Sequence, residues 1–331
     1  MVYLVTVKYH VFVAGDMRII VTGGTGLIGR ALVSSLTADG IETVVLSRRP
    51  QTARAVLPTM TRVVDWTGED TGPWTKELVG AEAIVHLGGA SIGTRPWTAG
   101  RRRLILSTRV HSTDSLVAAI EAIPATDRPR VLVSASGMDF YGDRPADEVI
   151  TEASGPGTSF LAGVCRAWES SASRAQDLGV RVALSRTGFV IDRDASAFRL
   201  LALPSRLGLG ARLGTGEQGF TWVHLADVIG LLRLAITDAS IQGPMNVIAP
   251  EVPRQREVVR AMARVLHRPA PLRVPERLLR LGLDGLADLL LHGRFAQPTV
   301  AVAHGYAYRF PTLEGALAEA LGPRPRSAPR P

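Results

Sequence analysis

Cysteine, lysine and long apolar runs are what this 331-residue chain lacks. Its one cysteine, Cys165, excludes an internal disulfide and fits a reducing compartment such as the cytoplasm. Only Lys8 and Lys76 are lysines, so the net charge of +8 is carried almost entirely by arginine. Arg101, Arg102 and Arg103 form the only tight internal basic run, and Arg324, Arg326 and Arg330 fall in a Pro-rich tail that reads as disordered. No basic face with a reading helix emerges, so a nucleic-acid partner is not expected. No stretch of about 18 consecutive apolar residues is present, so no membrane partner is expected either. No metal is expected. A final absence limits the chemistry. A proton-carrying tyrosine is normally assisted by a lysine four residues on. The tyrosines are 3, 9, 141, 306 and 308, and the residues four later are Val7, Val13, Pro145, Phe310 and Thr312. No Tyr-x-x-x-Lys pair exists in the chain.

The strongest positive signal is Ile19 to Gly29, IIVTGGTGLIG. Ile19, Ile20 and Val21 suit a buried parallel strand. Thr22 then leads into a glycine turn followed at once by helix formers. Strand, glycine turn, helix is the context a dinucleotide site requires. Gly23 and Gly24 permit the turn, Gly26 permits close approach of a pyrophosphate, and Gly29 permits close packing of helix on strand. The first helical turn, with Leu27 and Ile28, then faces the phosphates with free N–H groups.

Strand-like and helix-like stretches alternate through the first half. This predicts an α/β fold, a Rossmann-type doubly wound parallel sheet, with a smaller C-terminal substrate lobe. Strands are expected at Ile19–Val21, Thr43–Leu46, Arg62–Asp65, Ala83–Leu87, Val131–Ala135 and Arg181–Ser185. Helices are expected at Leu27–Ala38, Ala99–Ile120, Ser159–Leu178, Leu225–Ile236, Glu257–Leu266 and Glu276–Leu291. Pro244–Ala249 is a candidate for return to the main sheet. The chain divides into an extension at 1–16, a cofactor domain at 17–186, a substrate-side lobe with a small C-terminal domain at 187–321, and a Pro/Arg tail at 322–331. Met17 stands directly before the first strand, so translation starting there explains the extension. An added edge strand is the competing reading, since Tyr3 to Val13 is rich in strand formers.

The end of the second strand selects the cofactor. An acid there would hold the 2′-hydroxyl of NAD, but the chain has Ser47, Arg48 and Arg49. Guanidinium and hydroxyl donors suit a 2′-phosphate, so NADP(H) is favoured over NAD(H). Asp65 and Trp66 end the third strand, where a carboxylate can accept from adenine and an indole can flank the ring. His86 ends the fourth strand and reads as a core histidine. Leu87, Gly88, Gly89 and Ala90 follow, with glycines that permit approach to the cofactor ribose and phosphates. Ser134 and Ser136 end the fifth strand and are candidate donors to a substrate carbonyl. Tyr141 is the candidate proton relay.

Taken together, these residues resemble an extended short-chain dehydrogenase/reductase. More narrowly, they resemble its atypical NAD(P)-binding "epimerase family protein" branch. The likeness runs from Met17 to about Leu321 and rests on TGGTGLIG, LSRRP at 46–50, HLGGASIG at 86–93 and the Trp97–Arg109 helix. VLVSAS at 131–136 followed by YG, FLAGVCRAWE at 160–169, SRTGFVIDRD at 185–194, GLGARLGTGEQ at 208–218 and WVHLADV at 222–228 extend it. The ending GYAYRFPTLEGAL matches the small C-terminal domain of that branch. The resemblance implies that Ser47, Arg48, Leu87, Gly88 and Arg109 lie at the cofactor. It also implies that the usual Tyr and Lys positions hold Leu161 and Cys165, with Arg166 the only local cation. The sugar-site pattern His-x-Asp-Asp is reduced to His224, Ala226 and Asp227. Related folds dimerise through a helix pair, so a homodimer is an expectation.

Two readings follow. The first is an NADP(H)-dependent oxidoreductase or epimerase-like enzyme on a small carbonyl or hydroxyl substrate, with Arg186, Trp222 and His224 lining the substrate side. The second is a non-catalytic NADP(H) sensor or scaffold, favoured by the missing Tyr-Lys pair.

Overall fold

The computed structural model describes residues 17–93, 97–145, 148–283, 291 and 293–323. The extension at 1–16 and most of the Pro/Arg tail lie outside the described residues, as does much of the C-terminal half of the helix expected at Glu276–Leu291.

Short apolar runs build the strands of the main sheet: β1 (Arg18–Thr22), β2 (Glu42–Ser47), β3 (Arg62–Asp65), β4 (Ala83–His86), β5 (Val131–Gly137), β7 (Arg181–Thr187) and β11 (Gly243–Val247). They pair in parallel in the order β3-β2-β1-β4-β5-β7-β11. Alternate residues of each strand face opposite layers, and both layers are dry, which is why the strands read as unbroken apolar runs. Ile19, Val21, Val85 and Val133 pack under helices α1 (Leu27–Ala38) and α6 (Leu225–Thr237). Ile20, Ile84, Leu132 and Val182 pack under α3 (Ala99–Glu121) and the end of α4 (Phe160–Ser173). The doubly wound fold expected from the alternation is present, and the segment expected to return from the C-terminal half supplies β11.

The small elements attach the rest. Short pairs join β6 (Val149–Ile150) to β13 (Phe295–Ala296), β8 (Phe189–Ile191) to β10 (Trp222–His224), and β9 (Ala211–Leu213) to β12 (Leu272–Val274). Helix α2 (Pro50–Val56) follows β2, and α5 (Ser196–Arg206), α7 (Gln255–Leu266) and α8 (Glu276–Leu283) belong to the second half. The last helices, Thr299–Ala303 and Leu313–Leu321, close the chain. A separate core forms around Phe198, Trp222, Met262 and Leu317.

The main sheet reverses its strand order between β1 and β4. At such a switch point the following helices diverge to opposite faces and leave a crevice at the C-terminal strand ends. The polar residues of the strand tips gather there. Register places Thr22, His86 and Ser134 in one row across β1, β4 and β5. It places Ser136, Arg186 and Asn246 in a second row across β5, β7 and β11.

Candidate active site

The glycine turn has the geometry its composition predicts. Gly23 has φ +68, and a Cβ there would stand 2.7 Å from the Leu87 carbonyl oxygen. A Cβ on Gly29 would stand 2.3 Å from the Gly23 carbonyl oxygen, so helix α1 lies directly on the turn. Thr98, Ser159 and His224 cap α3, α4 and α6 with their side chains. The N-cap of α1 is Gly26, with no side-chain cap and no acid in the first turn. Its leading N–H groups are left for an anion. A cleft of about 250 Å³ opens beside it, lined by Gly23, Gly26, Leu27, Ile28, Gly29 and Leu87, by Ala135 and Ser136 of β5, Ser185 and Thr187 of β7, and Val228 and Leu232 of α6. An uncapped helix end, a turn with no room for side chains and an adjoining cleft fit a dinucleotide. A larger hollow of about 410 Å³ is lined by Gly214, Thr215, Arg273, Pro275, Glu276 and Arg277 and shares no residue with this cleft.

Arg48 and Arg49 stand exposed beyond β2. Ser47 Oγ accepts from the Arg49 N–H at 3.1 Å, leaving its own proton to donate. Asp65 is exposed and pairs in register with Ser47, so these groups share one strand-end surface. Trp66 is a correction. Its ring is buried edge-on against Trp74, and its Nε1–H donates to Ser115 Oγ at 3.3 Å. It belongs to the core under α3 and is not a free flank for an adenine.

His86 is a core histidine. Ser112 donates to the Thr108 carbonyl, so it accepts from His86 Nε2–H, and Thr22 Oγ1 donates to Nδ1 at 2.6 Å. Burial, and then the charge of Arg109, holds the imidazole down to about 3. Arg109 reaches from α3 to donate to the Ala90 and Ile105 carbonyls and lies over the Trp168 ring. It thereby clamps the Leu87–Ala90 loop. A Cβ on Gly89 would meet the Arg109 guanidinium at 3.0 Å.

Beyond β5 lies a closed polar network. Ser136 Oγ donates to Glu169 Oε1 at 2.6 Å. Arg186 donates to both oxygens of Glu169, at 2.9 and 2.8 Å. Its Nη1 donates to the Tyr141 hydroxyl at 2.8 Å, and its guanidinium lies 3.5 Å from the Phe140 ring centre. Tyr141 donates to Asn246 Oδ1 at 2.7 Å, and Asn246 Nδ2 donates to the Gln297 carbonyl. Glu152 accepts from the N–H groups of Asn246, Thr299 and Val300. The network thus runs from the cleft to the C-terminal segment.

Several expected roles change here. Tyr141 is wholly buried, its hydroxyl is saturated, and desolvation raises its pKa. A proton relay needs the reverse. Ser134 is also wholly buried, with its hydroxyl turned back to the Ala135 carbonyl at 3.4 Å. Ser136 is the serine that lines the cleft, but its proton goes to Glu169 and not to a substrate carbonyl. Arg166 is exposed and stands outside the network. Leu161 and Cys165 are buried, and desolvation, then Asp139 and Glu169, pushes the Cys165 thiol up to about 12. Arg186 joins the network, whereas Trp222 and His224 do not line the cleft. Trp222 is wholly buried in the second core. His224 caps α6 through Nδ1, stacks on Phe310 and donates from Nε2 to Glu319. Asp227 accepts from the N–H groups of Arg309 and Phe310, so this remnant ties down the C-terminal segment.

Glu169, Glu152, Asn246, Ser185 and Thr187 are the site residues that sequence reasoning missed. Glu169 carried a local signal, one helical turn beyond Cys165 on the same face. Among the described residues no helix is long and apolar enough to cross a membrane, and no group of three or more His, Cys, Asp or Glu could hold a metal ion.

Residues 19–248 match the model of the NAD dependent epimerase/dehydratase family, and residues 274–320 match a domain of unknown function, DUF1731. The chain belongs to the NAD dependent epimerase/dehydratase family and carries that second domain at its C-terminal end. It is 35% identical over 305 residues to the epimerase family protein SDR39U1 homolog, chloroplastic, of Arabidopsis thaliana, covering 91% of this chain and 86% of the relative. It is similar to the crystal structure of the human epimerase family protein SDR39U1 (isoform 2) with NADPH, at 30% identity and TM-score 0.81, covering 92% of this chain and 100% of that one. A UDP-glucose 4-epimerase from Thermotoga maritima, solved with UDP-glucose, aligns at 17% identity and TM-score 0.75 over 92% of this chain and 97% of that one, which shows the fold alone.

Proposed function

We propose that this protein is an NADP(H)-dependent oxidoreductase or epimerase-like enzyme acting on a small carbonyl or hydroxyl substrate in the cytoplasm. The observation that carries the reading is the uncapped α1 end over the cleft, with Ser47, Arg48 and Arg49 and no acid at the tip of β2 itself. The human relative solved with NADPH supports it. The turn residues Gly23 and Gly26 to Gly29 hold the pyrophosphate, whereas Thr22, wholly buried with its hydroxyl on His86, stands behind the turn. Ser47, Arg48 and Arg49 bind the 2′-phosphate, with Asp65 beside them. Leu87 to Ala90, backed by Arg109, border the ribose side. The bound cofactor supplies hydride transfer; the protein orients it and excludes water. Ser136 is the catalytic candidate that lines the cleft. Calorimetry is expected to show NADPH binding at least about tenfold more tightly than NADH, the scale of one charge-assisted contact. Equal affinity overturns the cofactor assignment.

The non-catalytic reading draws on one observation. The Tyr141 phenol is locked in a network instead of being free to move a proton. Absence of general acid–base help typically costs about 10²–10⁴-fold in rate, so slow turnover of generic carbonyl substrates is expected. Tight NADPH binding with no turnover across a carbonyl and alcohol panel favours the sensor.

A further inference from the structure

Ser136 reaches the cleft with its proton already committed. Glu169 is buried, and both of its oxygens accept from Arg186. A carboxylate held in this way accepts hydrogen bonds and donates none. The Ser136 O–H therefore points to Glu169 Oε1, 2.6 Å away. Only lone pairs of Ser136 remain for a group in the cleft that this residue lines.

We propose that Glu169, acting through Ser136, makes the site select the hydroxyl form of its substrate over the carbonyl form. Ser136 accepts a hydrogen bond from a substrate O–H, and Glu169 is the positioning residue that fixes this polarity. The proposal rests on the enzyme reading above and refines it. A carbonyl oxygen in the same place meets lone pairs with no proton between them. Sites of fixed hydrogen-bond polarity discriminate strongly, because the mismatched partner leaves buried polar groups unpaired. Arg186 keeps Glu169 in the accepting state through a bidentate grip, braced by the Phe140 ring and by Tyr141. The register of β5, β7 and β11 sets Ser136, Arg186 and Asn246 side by side, and Glu169 reaches them from α4.

The test uses cyclohexanol and cyclohexanone, and 2-propanol and acetone, as matched probes on the NADPH-saturated full chain, with affinities read by saturation-transfer NMR. Each alcohol is expected to bind at least about tenfold more tightly than its ketone, the scale of one matched hydrogen bond. Ser136→Ala is expected to remove the preference. In Glu169→Gln the amide nitrogen takes the place of Oε1 and donates to Ser136 while the oxygen accepts from Arg186 Nη2, but that nitrogen then also faces the Arg186 Nε–H. The serine proton is then free for the cleft, and the preference is expected to shift towards the ketone, which a purely structural role for Glu169 does not produce. Because Glu169→Gln leaves the Arg186 charge buried, the double variant Glu169→Gln/Arg186→Met is run beside it, with melting curves to establish folding. Equal affinity of alcohol and ketone in the wild type, binding of neither, or an unchanged preference in a folded Gln variant overturns the proposal. NADPH fluorescence titration of the same samples separates the two failures. A chain that does not bind NADPH overturns the enzyme reading itself, whereas one that binds NADPH without discriminating the probes overturns only the polarity.

Discussion

The two halves of the cleft are built by different means. The β1–α1 half is made of backbone: a glycine turn, an uncapped helix end and a cleft with few side chains. The β5–α4 half is made of side chains that close on one another, with Ser136, Glu169, Arg186, Tyr141 and Asn246 all buried and all partnered. Open backbone groups are prepared for a ligand that brings its own charge. A closed network is prepared to hold one residue, Ser136, in one orientation. The contrast is one of material: the cofactor side offers open backbone groups, and the other side is fixed by the buried ion pair of Arg186 and Glu169.

The largest expected effect breaks the closed half. Glu169→Ala leaves the Arg186 charge buried without its carboxylate, a change that costs about 3–5 kcal/mol. Urea unfolding is expected to show a loss of that size. Glu169→Gln/Arg186→Met, which removes both charges, is expected to recover most of it. A loss below about 1 kcal/mol for Glu169→Ala would mean that water or another group already compensates Arg186.

The open half breaks by crowding. Gly29→Ala places a Cβ 2.3 Å from the Gly23 carbonyl oxygen and 2.7 Å from the Gly24 Cα, both backbone atoms. The turn must move, at a cost of about 1–3 kcal/mol for overpacking. NADPH affinity is expected to fall by more than tenfold in the same variant, read by fluorescence titration. Unchanged affinity would mean that the turn does not hold the cofactor.

These halves also differ in how far they could be read in advance. The turn is contiguous, and each glycine there answers a backbone requirement, so eleven adjacent letters from Ile19 to Gly29 carried it. The strands were legible for the same reason, although β5 continues to Gly137, because Ser136 and Gly137 still pair with Arg186 and Thr187. The closed network was not legible. Its members, spread from Ser136 to Asn246, meet through the register of β5, β7 and β11 and through the packing of α4 and the turn after β5 onto those strand tips. Trp66 and His224 were misplaced for a related reason. Their partners, Ser115 and Glu319, stand 49 and 95 residues further on. A polar residue at a strand tip looks the same in sequence whether it waits for a ligand or is already satisfied.

His86 sits between the two halves and sharpens the comparison through pH. Folded His86 stays neutral down to about 3, whereas the unfolded chain takes up that proton near 6.5. Between those values the unfolded state binds one proton more. Stability from this residue is therefore complete above about 6.5 and falls with pH at about 1.4 kcal/mol per unit until about 3. Urea unfolding at pH 6.5 and pH 5 is expected to differ by about 2 kcal/mol from this source. His86→Gln keeps a donor and an acceptor beside Thr22 and Ser112 and is expected to remove that part of the slope. An identical slope in the variant would place the pH sensitivity elsewhere.

The smallest expected effect concerns the rim of the open half. Arg48 and Arg49 are exposed beyond β2, so each is worth far less than a buried charge, and salt screens it. Arg48→Asp replaces a cation with an anion at the strand tip. A carboxylate there repels a 2′-phosphate and accepts from a 2′-hydroxyl, so the preference for NADPH over NADH is expected to narrow by about tenfold, or about 1.4 kcal/mol, and to approach parity. The change is expected to shrink as ionic strength rises, because the contact is solvent-exposed. Thermal stability is expected to stay within about 0.5 kcal/mol of the wild type, the usual range for a surface substitution. Calorimetry with both cofactors at two salt concentrations measures all of this. An unaltered preference would shift the selection to Arg49 and Ser47, and the variant Arg49→Asp would then have to show the narrowing. If neither arginine matters, the choice of cofactor is not made at this strand tip.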